Sequence, residues 1–213
     1  METSLVLRVC REDFTSYGGF VWPSAVGTVV EAPDWLQNES CGNGLHGWLY
    51  GEGDVSCVGH WERPEAKWLV LEVQSNTIIS LGGKVKFPRA TVVHVGDRLS
   101  ASEFILANES RAAADRCIGV YSKAGDNQSA VAGSLGTATA GDSGTATAGD
   151  RGTATAGDSG TATAGDSGTL CIRWWDVDKQ RYRTEVAYVG ENGIKPNTKY
   201  RLDDSHKFVE VKS

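Results

Sequence analysis

Between Ala124 and Cys171 the chain repeats itself every eight residues, six times in succession. The octads read AGDNQSAV, AGSLGTAT, AGDSGTAT, AGDRGTAT, AGDSGTAT and AGDSGTLC. A fixed register constrains the fold more than composition does. A disordered tether, the alternative for so Gly- and Thr-rich a stretch, needs only polarity, whereas stacked units need a period. The central octads are nearly identical and the outer ones drift, ending in Val131 at one side and Leu170-Cys171 at the other. End units meet a different neighbour, so such drift is expected of an array.

Within each unit Thr-Ala-Thr-Ala alternates with period two and predicts a short strand. Gly-Asp-Ser/Arg-Gly supplies turn chemistry. Strand plus turn in eight residues is half a coil of a β-solenoid. Two octads then make a 16-residue coil, and six octads make about three coils, roughly 14 Å of stack at ~4.8 Å per rung. Burying an unpartnered threonine hydroxyl costs ~1–3 kcal/mol. Ala140, Ala146, Ala148, Ala154, Ala156 and Ala162 are therefore expected inside, and Thr145, Thr147, Thr153, Thr155, Thr161 and Thr163 outside. An all-alanine interior is thin, so end caps or a homodimer are expected to reinforce it. Asp142 and Asp158 fall on one edge, Asp150 and Asp166 on the other. Each is expected to cap its own turn through backbone N–H groups. The functional alternative is an anionic edge for a basic partner, because residues 124–171 hold five Asp against one Arg.

The octads resemble the arrays of bacterial ice-nucleation proteins, which repeat a similar Ala-Gly-x-x-Ser/Gly-Thr-x-Thr unit. That resemblance covers residues 124–171 and implies outward Thr-x-Thr ladders that order water. A wider resemblance rests on Cys41-Gly-Asn-Gly-Leu-His-Gly-Trp-Leu, Lys67-Trp-Leu-Val-Leu-Glu-Val and Leu81-Gly-Gly-Lys-Val-Lys-Phe-Pro-Arg. These segments are similar to those of uncharacterised bacteriophage and prophage proteins, in which a small module precedes Gly-Asp-x-Gly-Thr-Ala-Thr-Ala units. It implies a mobile-element origin and brings no assigned reaction.

Around the repeat the chain reads as an α+β module over residues 1–120, a β-solenoid over 124–171 and a small antiparallel β cap over 172–213. Strands are expected at Ser4–Val9, Gly27–Ala32, Lys67–Val73, Thr77–Leu81, Lys84–Phe87 and Thr91–Val95. A helix is expected over Leu99–Asn108, with Ser100 and Glu103 at capping-box spacing and Glu109–Asp115 continuing it. Ile172–Trp175, Tyr182–Val189, Lys199–Leu202 and Phe208–Val211 read as a meander closing the solenoid.

Two constellations in the module carry chemistry. Cys41, His46, Cys57 and His60 match a tetrahedral zinc set in residue type, at the loose spacing C-x4-H-x10-C-x2-H. Alternatively His46 lies on a Gly-rich loop, with Glu52 and Asp54 close in sequence, that binds a nucleotide or small molecule. No Walker A, dinucleotide fingerprint or nucleophile elbow occurs, so no catalytic residue is assigned and the chain leans away from an enzyme. A net charge of −6 argues against direct nucleic-acid binding. No run of ~18 apolar residues is present, which argues against a membrane span. Five cysteines without paired spacing and an N-terminal run broken by Arg8 and Arg11 point to the cytoplasm. The combined expectation is a non-enzymatic accessory protein that binds a host protein or protein complex and inhibits a bacterial defence system. The stated alternatives are the small-molecule enzyme and the water-ordering surface.

Overall fold

The computed structural model describes residues 2–58 and 63–212. It is mostly β with a single α-helix, and the chain divides into two compact units, Met1–Ala113 and Ala114–Ser213.

The first unit is one antiparallel sheet of seven strands. They are β1 (Thr3–Cys10), β2 (Val29–Glu31), β3 (Leu45–Leu49), β4 (Lys67–Gln74), β5 (Ile79–Ser80), β6 (Val85–Phe87) and β7 (Arg89–Gly96), in the order β2-β7-β4-β1-β3-β6-β5. β1 lies at the centre and is buried on both faces from Ser4 to Cys10. Helix α1 (Arg98–Asn108) packs across β4, β7 and β1 and buries Ala101, Ser102 and Ile105. On the other face Val6, Cys10, Leu69, Leu71, Phe87 and Val92 form a core with Trp22.

The helix begins earlier than expected. Asp97 is its N-cap and accepts the Ser100 N–H at 2.8 Å, so Ser100 is inside the first turn and no Ser100/Glu103 box forms. Nor does the helix run on to Asp115. At Glu109 the backbone turns extended, and the carboxylate accepts the Leu5 N–H of β1 and a two-pronged Arg111 guanidinium. The expected strand at Thr77–Leu81 shrinks to Ile79–Ser80, because Ser75–Thr77 form a 3-10 turn. The largest departure is β3, where a Gly-rich loop was expected. His46 sits mid-strand opposite Lys86 of β6. Gly47 is there because a Cβ would come within 2.6 Å of the Leu7 carbonyl oxygen on β1.

The second unit is the solenoid. Its rungs are β8 (Tyr121–Lys123), β9 (Ser129–Ala132), β10 (Thr137–Thr139), β11 (Thr145–Ala148), β12 (Thr153–Ala156), β13 (Thr161–Ala164) and β14 (Thr169–Asp176). Rungs sixteen residues apart pair in parallel and in register, Thr137 with Thr153 and Thr145 with Thr161. Successive octads therefore alternate between two sheets, and the stack makes about three coils. The first rung, Tyr121–Lys123, lies just ahead of the first octad. Beyond β14 come β15 (Arg181–Tyr188), β16 (Tyr200–Leu202) and β17 (Phe208–Glu210). They do not form one meander. β15 extends one sheet antiparallel to β14, and the β16–β17 hairpin extends the other through Ala162 and Tyr200. Both parallel sheets thus end in antiparallel strands, which terminates the coil without a further octad.

Candidate functional site

The alanines of every rung are inside, each no more than 4% exposed from Ala130 to Ala164, and the threonines beside them are half-buried on the outer faces. On one sheet Thr145 and Thr147 stack on Thr161 and Thr163, with a hydroxyl contact of 3.1 Å between Thr145 and Thr161. On the other, Thr137 and Thr139 stack on Thr153 and Thr155, and these on Thr169 and Cys171. Each face is two residues wide. At ~4.8 Å between rungs and ~6.7 Å between alternate residues of a strand, the threonines recur on a rectangular grid.

The turns differ from expectation in two ways. The left-handed backbone conformation falls on Ser143, Arg151, Ser159 and Ser167, with φ of 55° to 57°, and not on the glycines flanking them. The glycines answer to packing. A Cβ on Gly144 would lie 2.8 Å from the Ala140 Cβ and from the Gly141 carbonyl oxygen, and one on Gly157 would lie 2.6 Å from the Asp142 nitrogen of the coil before. The aspartates bond across coils. Asp142 accepts the Asp158 N–H at 2.9 Å, Asp150 accepts that of Asp166 at 2.9 Å, and Asp126 accepts that of Asp142 at 2.8 Å. The carboxylates of Asp126, Asp142 and Asp150 each cap the next coil and not their own turn, which ties coil to coil. Asp158 and Asp166 are the last of their columns. Asp142 also takes Arg173 at 3.4 Å and the Tyr182 hydroxyl at 3.5 Å.

The first unit holds a cleft of about 920 Å³. Its described lining includes Arg8, Tyr17, Phe20, Trp22, His46 and Lys84, along with Cys41, Asn43, Cys57 and the backbone of Gly42 and Gly44. Three of the four residues of the zinc reading, Cys41, His46 and Cys57, therefore share one cleft, while His60 lies outside the described residues. Among the described residues no three His, Cys, Asp or Glu groups are placed to hold a metal. Burial and then Asp54 push the Cys57 thiol above its usual range, and its Sγ lies 3.6 Å from the Asp54 carboxylate. Glu52 and Asp54 do not line the cleft. Asp54 instead caps a 3-10 turn by accepting the Ser56 N–H.

Sequence reasoning missed the residue at the floor. Arg8 of β1 is 7% exposed, lies 5.0 Å over the Trp22 ring and donates from Nη1 to the His46 carbonyl at 3.2 Å, while its Nε has no partner among the described residues. Burial lowers its pKa to about 10. The His46 imidazole is pushed down to about 4, by burial first and then by the charges of Lys84, Arg8 and Lys86. The buried Nε2 has no partner among the described residues. Lys86 is fully buried, with Nζ held by three neutral oxygens, Asn38 Oδ1 at 2.7 Å, the Ser40 carbonyl at 2.9 Å and the Gly42 carbonyl at 3.5 Å.

Comparison with known proteins follows the same division. About half of the chain is similar to bacterial ice nucleation proteins. An ice nucleation protein of Pseudomonas syringae is 44% identical over 112 residues, 52% of this chain and 9% of that protein. Ice nucleation protein InaU of Pantoea ananas is 38% identical over 104 residues, 48% of this chain and 10% of that protein. One from Xanthomonas campestris pv. translucens is 36% identical over 110 residues, 51% of this chain and 7% of that protein. This chain therefore spans at most about a tenth of the length of these relatives. Residues 4–107 match the family model of a domain of unknown function, DUF7666. No solved structure matches the chain. The ice-nucleation side of the sequence resemblance is thus supported, and the phage side is not addressed by these relatives. No described helix is long and apolar enough to cross a membrane.

Proposed function

We propose that this chain is a non-enzymatic repeat protein whose solenoid offers its threonine lattice to ordered water. The observation that carries this reading is the in-register stacking of Thr145 on Thr161 and of Thr153 on Thr169, with an alanine interior that fixes every threonine outward. Methyl and hydroxyl groups then recur on a rigid grid, which suits adsorption to a periodic solid more than to a protein partner. The named relatives support the same direction. Two narrow faces of three or four rungs make a small contact area. The expected activity is adsorption to ice and slowing of its recrystallisation, not efficient nucleation. Partition of the folded chain into a slowly growing ice front tests this. Replacing Thr145, Thr147, Thr161 and Thr163 by Lys should exclude the protein from ice while leaving its far-ultraviolet dichroism unchanged. A wild-type chain excluded as fully as an unrelated soluble protein would end the reading.

A second reading is favoured by the terminal edge strand. Tyr182, Val186 and Tyr188 alternate on the outer face of β15 and are 45%, 49% and 54% exposed, next to Trp175. An apolar row on an open edge is a site for a protein partner. This is the face on which an accessory protein would hold a host macromolecule, including a component of a defence system. Loss of a captured partner from bacterial lysate with Val186→Ser and Tyr188→Ser, but not with the threonine variants, would favour it.

A further inference from the structure

We propose that the cleft over β1 and β3 is a binding site for a small anion carrying a planar ring, of the chemistry of a nucleoside monophosphate. The inference rests on the first unit alone and is independent of the solenoid. Its floor presents an unanswered pair of hydrogen-bonding groups. Arg8 is more than nine-tenths buried, no carboxylate pairs with it among the described residues, and its Nε–H has no acceptor. The Nε2 of its neighbour His46 is also buried and has no partner among the described residues. Buried polar groups in native proteins are normally satisfied. Two such orphans, on residues joined by the Arg8 bond to the His46 carbonyl, ask for a polar ligand.

The charge around them selects an anion. Lys84 lines the cleft and, among the described residues, donates to the neutral Cys57 carbonyl at 3.2 Å. Lys86, close enough to depress the imidazole, is compensated by neutral oxygens. Asp34 is the carboxylate in the lining, and it is engaged by the Asn43 amide at 3.3 Å. Among the described lining residues, Arg8 at the floor and Lys84 on the wall, with Lys86 buried behind them, face the one acid Asp34. The rim selects a ring. Residues 11–22 close as a hairpin, tied by Ser16 N–H to the Phe20 carbonyl and by Trp22 Nε1 to Ser16 Oγ. This hairpin brings Tyr17, 93% exposed, to the same cleft as Phe20, whose ring meets Trp22 edge-on at 5.4 Å. An exposed tyrosine beside a packed aromatic pair is a stacking platform for a flat group. The volume matches that of small-molecule sites. Inorganic phosphate would satisfy Arg8 and Lys84 but leave the aromatic rim unused. A nucleoside would use the rim but leave the cations unanswered.

Titration calorimetry of the full chain with AMP, GMP, CMP and UMP, and with adenosine, guanosine and inorganic phosphate, tests the assignment. At least one monophosphate should bind, with its nucleoside and inorganic phosphate each weaker by tenfold or more. Tyr17→Ala and Lys84→Gln lie at the rim and wall and leave the core intact. Each should weaken that monophosphate roughly tenfold, and Arg8→Gln should abolish binding if it folds. Equal affinity for inorganic phosphate would overturn the ring requirement. Absence of binding by all four monophosphates at millimolar concentration, or binding untouched by Tyr17→Ala and Lys84→Gln, would overturn the site.

Discussion

Removing one carboxylate from the aspartate ladder separates its two readings. Asp150 accepts the Asp166 N–H of the next coil at 2.9 Å, and Asp150→Ala deletes that bond. A hydrogen bond to a charged acceptor contributes about 1.5–3 kcal/mol. This one is exposed, so water recovers part of it. Carboxylates stacked ~5 Å apart also repel by ~1 kcal/mol in water, and the substitution relieves that repulsion. The expected net cost is about 1 kcal/mol, which for a unit of this size lowers the melting temperature by ~4–8 °C. Asp150→Asn keeps an acceptor oxygen and removes the repulsion, so it should cost less than half as much. Asp158 and Asp166 have no coil above them, and Asp158→Ala should fall within ±0.5 kcal/mol of wild type. Thermal unfolding of the three variants gives the order, and amide exchange at Asp166 reads the deleted bond directly. Its protection should fall in Asp150→Ala and survive in Asp150→Asn. If Asp158→Ala proved as costly as Asp150→Ala, the cross-coil bond would not explain what these carboxylates contribute.

Gly160→Ala places a methyl 2.9 Å from the Ala156 Cβ and from the Gly144 carbonyl oxygen, so it should cost about 1–3 kcal/mol in urea titration, although Gly160 has no left-handed φ. Leu170→Ala, at a fully buried rung beside Ala154, should cost about 2–5 kcal/mol by the same measurement. His46 titrates at about 4 in the fold and near 6.5 when unfolded, so the unfolded chain binds the proton more readily. The stability due to neutral His46 is fully present above pH 6.5 and is lost as pH falls towards 4. Its ceiling is about 3 kcal/mol from ~1.4 kcal/mol per unit, less what solvent screening removes. Denaturation midpoints between pH 7 and 4 should flatten in His46→Gln, and an unchanged slope would place the acid sensitivity elsewhere.

How far such features can be read from sequence depends on the period behind them. The coil length, the split into alternate sheets and the direction of every Ala and Thr follow from the octad alone, because one residue of slippage would turn all side chains over. The aspartate bond was assigned to the wrong turn because spacing in sequence says nothing about which coil a carboxylate reaches. In the first unit β3 was hidden by Gly47, whose low strand propensity reflects tight packing on β1 rather than a loop. Arg8 was legible as an anomaly only. In an alternating strand it falls on the same face as Val6 and Cys10, an inward position for a charge. Tyr17 and Lys84 join it through the hairpin and the sheet order, and no local pattern encodes that.

The alanine interior explains why the ends of the solenoid look unlike its middle. A buried alanine removes little apolar surface, at ~25 cal/mol per Å², so the central coils gain mainly from backbone bonds and from the close approach that the glycines permit. Larger side chains appear where the array stops. Cys117, Ile118, Val120 and Leu135 are buried at its beginning, and Leu170, Ile172, Val189 and Tyr200 at its close. Each replaces an alanine or fills a corner that another coil would have occupied. Stability is therefore concentrated at the two ends, and the repeat between them is free to be chosen for its outward face. That freedom accounts for threonine at both outer positions of β11, β12 and β13, and for the appearance of Val131 and Cys171 at those positions only in the terminal octads.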